Sequence, residues 1–208
     1  MEETIVREAA RPDADAIVDA LSAALVDDPF VVWLTDARVA KIPDYVRLMV
    51  EEVAFPRGLV HVAERDGRVV GAALWAPPRS FALGPWDTVR LMPRMIRIVG
   101  WRRMTHVSST LEEIEAARPP EPYWLLTLLG VVPAFQGLRI GSALLAPVLA
   151  RADEDGLVVA GETAAKDNLP FYLRHGFVVR AERSLEPSSA LSRSLARPAI
   201  ADRAGESG

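Results

Sequence analysis

The stretch that decides the fold is Tyr123-Trp124-Leu125-Leu126-Thr127-Leu128-Leu129-Gly130-Val131-Val132, then Pro133-Ala134-Phe135-Gln136-Gly137-Leu138-Arg139, then Ile140-Gly141-Ser142-Ala143-Leu144-Leu145. Its first part is a nearly uninterrupted apolar run, and Thr127 is the only polar side chain between Leu125 and Val132. Such a run marks a strand buried on both faces. The chain leaves that strand through Pro133 into a glycine-containing loop. A helix is expected over Ile140–Ala152, kinked at Pro147, which removes a backbone bond, and capped at its end by Gly156. The first N–H groups of that helix lack intrahelical acceptors, and its dipole favours negative charge there. Glycines let a phosphate approach the main chain, so the unit is a generic pyrophosphate cradle. No Gly-Lys-Ser/Thr follows, which excludes a P-loop. The glycine spacing and the lack of a preceding βαβ repeat speak against a dinucleotide fold.

Working outward toward the C-terminus, Leu157–Thr163 predicts a strand, about Asn168–Arg174 a short helix, and Phe177–Glu182 a further strand entered through Gly176. Beyond Ser184 the composition turns to Ser, Ala, Arg and Pro, which predicts a loose tail over 184–208 in which Ala190–Leu195 could pair as an edge strand. Toward the N-terminus, Leu59–Glu64 and Arg68–Trp75 flank Asp66-Gly67 and predict a hairpin with a primed turn. Between Arg79 and Pro122 the pattern is helical but broken. Val89–Val99, kinked or begun at Pro93, and Met104–Ala117 are the candidate helices, the latter with Glu112, Glu113 and Glu115 on its exposed side. Nearer the start, Thr4–Glu8 suits a short strand. A helix then opens at Pro12-Asp13 with Ala16, Ile17, Ala20, Leu21 and Ala24 at helical spacing, and Asp27-Asp28-Pro29 breaks it. A second helical stretch covers Tyr45–Val53, ending before Phe55. The order β-α-α-β-β-(helices)-β-α-β-α-β is that of one mixed α/β sheet in a single domain, residues 1–183, followed by the tail.

Composition narrows the partners. The chain has 208 residues, half of them hydrophobic and a quarter charged, enough for one sizeable core. A net charge of −4 gives no signal for nucleic acid, and Arg94, Arg97, Arg102 and Arg103 suit a solvated helix face. The absence of cysteine removes disulfides, thiolate metal sites and thiol nucleophiles. His61, His106 and His175 are scattered without ligand spacing, so no metal is expected. The longest apolar run is far short of the roughly 20 residues a membrane helix needs. Met1–Asp15 is acidic and unlike a signal peptide. A cytoplasmic protein, monomeric or homodimeric, with no membrane partner is expected.

Two separate blocks resemble one family. The segment from Gly130 to Leu145, with Gln136 and Gly141 in place, resembles the acetyl-CoA motif of the GCN5-related N-acetyltransferases, Gln/Arg-x-x-Gly-x-Gly/Ala after a Gly-Val-x-Pro strand end. The second block, Glu162-Thr163 and then Asn168-Leu169-Pro170-Phe171-Tyr172-Leu173-Arg174-His175-Gly176-Phe177, resembles that family's conserved pattern around the short helix. Together they cover residues 123–178. Within the family, the second block and the long helical insertion look like puromycin N-acetyltransferase and its bacterial relatives. The loop departs from the family at Arg139, where glycine is usual. A Cβ there could crowd the phosphates, and a positive φ would cost ~1–2 kcal/mol; alternatively, the guanidinium could contact phosphate in bidentate fashion.

The resemblance implies a mixed, mostly antiparallel central sheet flanked by helices, acetyl-CoA as co-substrate, and acetyl transfer to an amine without an enzyme nucleophile. It implies that backbone groups at Val131 and Val132 pair with the pantetheine arm like an added strand. It further implies that the loop of Gln136, Gly137, Leu138, Arg139, Ile140, Gly141 and Ser142 cradles the pyrophosphate, and that Asn168 contacts the coenzyme arm. Asn168 also suits a helix N-cap. Tyr172 is the candidate acid for the leaving thiolate, against a role packing the short helix on the sheet with Phe171. Glu162 is the candidate base, directly or through water, against a strand-end carboxylate bound to backbone or arginine. Asp28, Trp33 and Trp75 could receive a cationic, partly apolar amine, or could cap helices and fill the core. A small-molecule primary amine or amino-nucleoside-like acceptor is expected. The alternatives are a protein N-terminal or lysine acetyltransferase and a non-catalytic acyl-CoA-binding module.

Overall fold

The computed structural model describes residues 3–80, 85–120 and 122–200. Its elements are β1 Ile5–Glu8, α1 Ala14–Ala24, α2 Pro29–Thr35, α3 Ile42–Leu48, a π-helical segment Met49–Ala54 and α4 Phe55–Arg57. The hairpin β2 Leu59–Arg65 and β3 Arg68–Ala76 follows, then α5 Pro85–Val99, α6 Met104–Ala116 and β4 Tyr123–Val131. The chain continues through α7 Ile140–Glu154, β5 Val158–Thr163, α8 Leu169–Arg174, β6 Val178–Ser184 and β7 Leu191–Arg197.

One seven-stranded sheet runs β1-β2-β3-β4-β5-β7-β6. Every neighbouring pair is antiparallel except β4 and β5. The hairpin turn has positive φ at both Asp66 and Gly67, the geometry that matches the twist of its strands. Two apolar layers cover the sheet. On one face α1 and α3 bury Ile17, Leu21, Tyr45 and Val46 against Val62, Ala72 and Leu74. On the other, α7 buries Leu144, Leu145 and Val148 against Ala73, Trp75, Trp124 and Val159. Among the described residues no helix is long and apolar enough to cross a membrane.

Three features differ from the sequence expectation. The second helical stretch does not stop before Phe55 but continues through a widened π turn into α4, with Pro56 in the first turn of that last piece. Helix α5 starts at Pro85 and runs through Pro93. The third difference lies beyond Ser184. Leu191–Arg197 is an interior strand, paired with β5 on one side and β6 on the other, so β6 and not β7 is the edge. Its polar residues Ser192, Arg193, Ser194 and Arg197 are buried. Arg197 is held by two bonds to Asp153, at 2.7 and 2.6 Å. Residues 201–208 of the expected tail lie outside the described residues.

Candidate functional site

Strand β4 builds the centre of the site. Its parallel pairing with β5 runs only from Tyr123–Val158 to Leu126–Gly161, whereas β4 continues to Val131. On its other side β4 stays paired with β3 as far as Gly71–Val131. The two parallel strands therefore part at Leu126, and the stretch from Thr127 to Val131 turns a strand edge toward a cavity. Register with β3 slips at Leu74–Trp75, so Thr127 is the extra residue of a β-bulge. Bulges bend a strand and re-aim its side chains. The Thr127 hydroxyl closes the bulge by donating to the Leu74 carbonyl at 3.0 Å.

The loop after β4 ends in an uncapped helix. The Gln136 side-chain amide donates to the Val131 carbonyl at 3.1 Å, tying loop to strand end. Gly137 has φ +78° and Arg139, the N-cap of α7, has φ +61° and ψ 14°. Arginine cannot accept a hydrogen bond, so its side chain leaves the first-turn N–H groups of Ile140, Gly141 and Ser142 without a cap. Arg139 is exposed, with its side chain in solvent at the loop. A Cβ on Gly141 would stand 3.3 Å from Phe171 Cζ, so α8 packs closely over this helix start.

A cavity of about 1110 Å³ joins these parts. Val131, Gln136, Gly137, Arg139, Ile140, Gly141, Ser142, Asn168, Glu162, Tyr172 and Asp28 all line it. Val132 and Leu138 do not; the Val132 N–H instead bonds the Val70 carbonyl at 2.9 Å, and Leu138 faces solvent. Asn168 stands at the N-cap of α8 without making a side-chain cap bond. Tyr172, on α8, is 7% exposed, and its hydroxyl is pushed well above its ordinary value, first by burial and then by the Asp28 charge. Asp28 caps α2, with Oδ1 accepting from the N–H groups of Phe30 at 3.0 Å and Val31 at 3.1 Å. Burial raises its pKa, although those two bonds oppose the shift.

Glu162 sits near the end of β5, beyond the point where β4 and β5 part. The Ser192 hydroxyl donates to its Oε1 at 2.5 Å. Burial raises the Glu162 pKa, while Ser192, Ser194 and the charges of Arg118 and Arg183 pull it back. Both serines come from β7, part of the segment whose composition predicts a tail with at most an edge strand. Tyr45 of α3 is a further residue that sequence reasoning missed. It is buried on the cavity wall, and Asp28 adds to the burial that raises its pKa. A tyrosine on an amphipathic helix gives no local signal of that kind.

The two tryptophans are placed elsewhere. Trp33 is core, its Nε1 donating to the Glu186 carbonyl at 2.8 Å and its ring edge-on to His106. Trp75 is 1% exposed in the layer under α7. Neither lines the cavity, and both follow the core-filling alternative of the sequence reading.

The arrangement offers an extended ligand three things: an open strand edge for amide groups, uncapped helical N–H groups for phosphate, and Tyr172 with two carboxylates at the junction. Comparison with known proteins identifies the family. The model of the acetyltransferase (GNAT) family matches residues 19–177. A crystal structure of histone acetyltransferase HPA2 and related acetyltransferase from Corynebacterium glutamicum is 25% identical, with TM-score 0.72, covering 96% of this chain and 98% of that one. Arylalkylamine N-acetyltransferase 2 from Aedes aegypti shares the fold at 11% identity and TM-score 0.67, covering 94% and 99%. The ribosomal-protein-S18-alanine N-acetyltransferase from Escherichia coli does so at 13% and 0.57, covering 94% of each chain.

Proposed function

The chain belongs to the GNAT acetyltransferase family, and from that premise we propose that it moves the acetyl group of acetyl-CoA to the primary amine of a small molecule, by direct attack in a ternary complex. The observation that carries this reading is a single cavity lined by the parted strand edge of β4, the uncapped start of α7, Tyr172, Glu162 and Asp28. Acetyl-CoA, when bound, supplies an activated acetyl thioester. Thr127 to Val131 suit its pantetheine amides, the N–H groups of Ile140, Gly141 and Ser142 its pyrophosphate, and Asn168 its arm.

The residues then divide the proton work. A lysine-like amine has a pKa near ~10.4 and arrives charged. Asp28, whose Oδ1 is engaged by α2, receives that ammonium on Oδ2. Glu162 takes the proton, directly or through water, and its raised pKa makes it a better base near neutrality than an ordinary carboxylate. Tyr172 stays protonated at neutral pH and gives its proton to the departing thiolate. An ammonium on Asp28 neutralises one of the two influences that hold the Tyr172 pKa up, so acceptor binding itself makes the acid stronger. What supports a small acceptor over a peptide is that α3, α5 and α6 add their residues to the cavity wall beside the sheet. The likeness of the Asn168–Phe177 block to puromycin N-acetyltransferase puts amino nucleosides first among the amines to try.

Calorimetric titration with acetyl-CoA, followed by turnover on a panel of small primary amines that begins with amino nucleosides and includes apolar alkylamines and aminoglycosides, tests the reading. Acetyl-CoA should bind. Tyr172→Phe should lower kcat about 10²-fold with acetyl-CoA affinity unchanged. An undiminished rate would remove Tyr172 from the reaction. Binding without turnover on any amine would make the chain an acyl-CoA-binding module instead.

A further inference from the structure

The acceptor end of the cavity has a composition that the reading above does not require. Four of the chain's five methionines, Met49, Met92, Met95 and Met104, line it. They come from the π-helical segment, α5 and α6, and Phe30 and Leu111 join them. Met49, Met95, Met104, Phe30 and Leu111 pack against the main core and yet remain only partly buried, so apolar surface is left facing the cavity. Methionine is unbranched and polarisable, and it adapts to apolar ligands of irregular shape.

On α5 and the π turn charge is kept off this wall, while Glu115 of α6 and Arg118 beyond it also line the cavity. Helix α5 carries Arg90, Arg94 and Arg97, but among the described residues it gives the lining only Leu91, Met92 and Met95. Arg90 and Arg94 instead pair with Glu52. The π turn contributes Met49 and Val53 while Glu51 and Glu52 stay out of the lining. Widened helical turns of this kind recur where a helix shapes a functional site.

Resting on the acetyl-transfer reading, we infer that the acceptor is a primary amine carried on a sizeable apolar body, with the body against the methionine wall and the ammonium at Asp28. Strongly polar polyamines and aminoglycosides are poor fits. Apolar area removed from water is the driving force, so affinity should grow with each carbon placed on that wall.

The test is a series of straight-chain primary amines, from ethylamine to octylamine, titrated into the full chain saturated with CoA. The dissociation constant should fall about three- to fourfold per added methylene until the wall is covered. Met95→Gln with Met104→Gln should weaken octylamine about tenfold and leave acetyl-CoA affinity unchanged. Met95→Leu with Met104→Leu should stay near the parent. A flat dependence on chain length, or tighter binding of an aminoglycoside than of octylamine, overturns the inference, and the wild-type series decides it even if the glutamine pair fails to fold. Acetyl-CoA affinity, measured in separate titrations, reports on the acetyl-transfer reading, so failure of one is distinguishable from failure of the other.

Discussion

Arg139→Gly separates two effects that act in opposite directions. The native residue holds φ +61° at the N-cap of α7, a left-handed conformation that costs a side-chain-bearing residue ~1–2 kcal/mol. Glycine relieves that strain but loses ~0.4–1 kcal/mol through the freer unfolded chain. The difference predicts a net gain of about 0.5–1 kcal/mol, or a Tm rise of about 1–4 °C for a domain of this size. The Arg139 side chain is exposed and lines the cavity at the start of α7; with its guanidinium on phosphate, as proposed, that hydrogen bond to a charged group is worth ~1.5–3 kcal/mol. The same variant should therefore bind acetyl-CoA about tenfold or more weakly while becoming more heat-stable. Thermal unfolding without ligand and calorimetric titration with acetyl-CoA read the two halves separately. Pantetheine, which lacks the pyrophosphate, should bind parent and variant alike. An unchanged or lower Tm would refute the strain argument, and tighter acetyl-CoA binding would show that the side chain crowds the phosphates.

The other predictions concern the base, the packing and the pH response. As Glu162 must be unprotonated to act and its pKa is raised, the rate should climb with pH through a limb above the ordinary carboxylate value of about 4.3. Ser192→Ala, by removing a bond that favours the carboxylate, should move that limb to higher pH, and Glu162→Gln should abolish it with at least about a 10²-fold loss of kcat; a limb unmoved by both would exclude Glu162 as the base. Gly130→Ala would set a Cβ 2.8 Å from Ala24 Cβ and 2.9 Å from Leu21 Cδ2, which should destabilise by about 1–3 kcal/mol in urea unfolding. Asp13 is held at a pKa of about 2 by Arg7, whose Nη1 and Nη2 donate at 2.8 and 2.9 Å. A depressed pKa stabilises above the unfolded value and loses that contribution as pH falls through the folded one. After screening of the partly exposed Arg7, Asp13→Asn should cost about 1 kcal/mol at pH 7, and the gap should close on acidification from about pH 4 to about pH 2.

Local pattern made the centre of this protein legible. The apolar run of β4, the Asp66-Gly67 turn and the helix after Arg139 each declare themselves within a dozen residues, while Glu162 and Tyr172 are singled out by the resemblance of the block from Glu162 to Phe177 to the family. What was not legible depends on distant partners. Leu191–Arg197 reads as a tail because its serines and arginines are polar; they are buried because Glu162, Glu182 and Asp153 receive them from other elements. Trp33 and Trp75 have the right chemistry for a cation but face the core, a matter of which side of helix or sheet they occupy. The methionine wall is assembled from three separate segments, and none of those segments announces a shared cavity.

The position of β7 sets the order in which the enzyme can come into being. Until this strand arrives, β5 presents a bare edge from Val159 to Thr163, β6 has no neighbour, and Glu162 lacks both of its hydroxyl partners. A chain emerging from the ribosome can complete the hairpin, β4 and the loop before α7 with segments already made, but Glu162, the proposed base, gains its Ser192 partner only 30 positions further along. The surroundings of Glu162 are therefore complete only once β7 has paired, and until then the β5 edge is exposed to pairing with another chain.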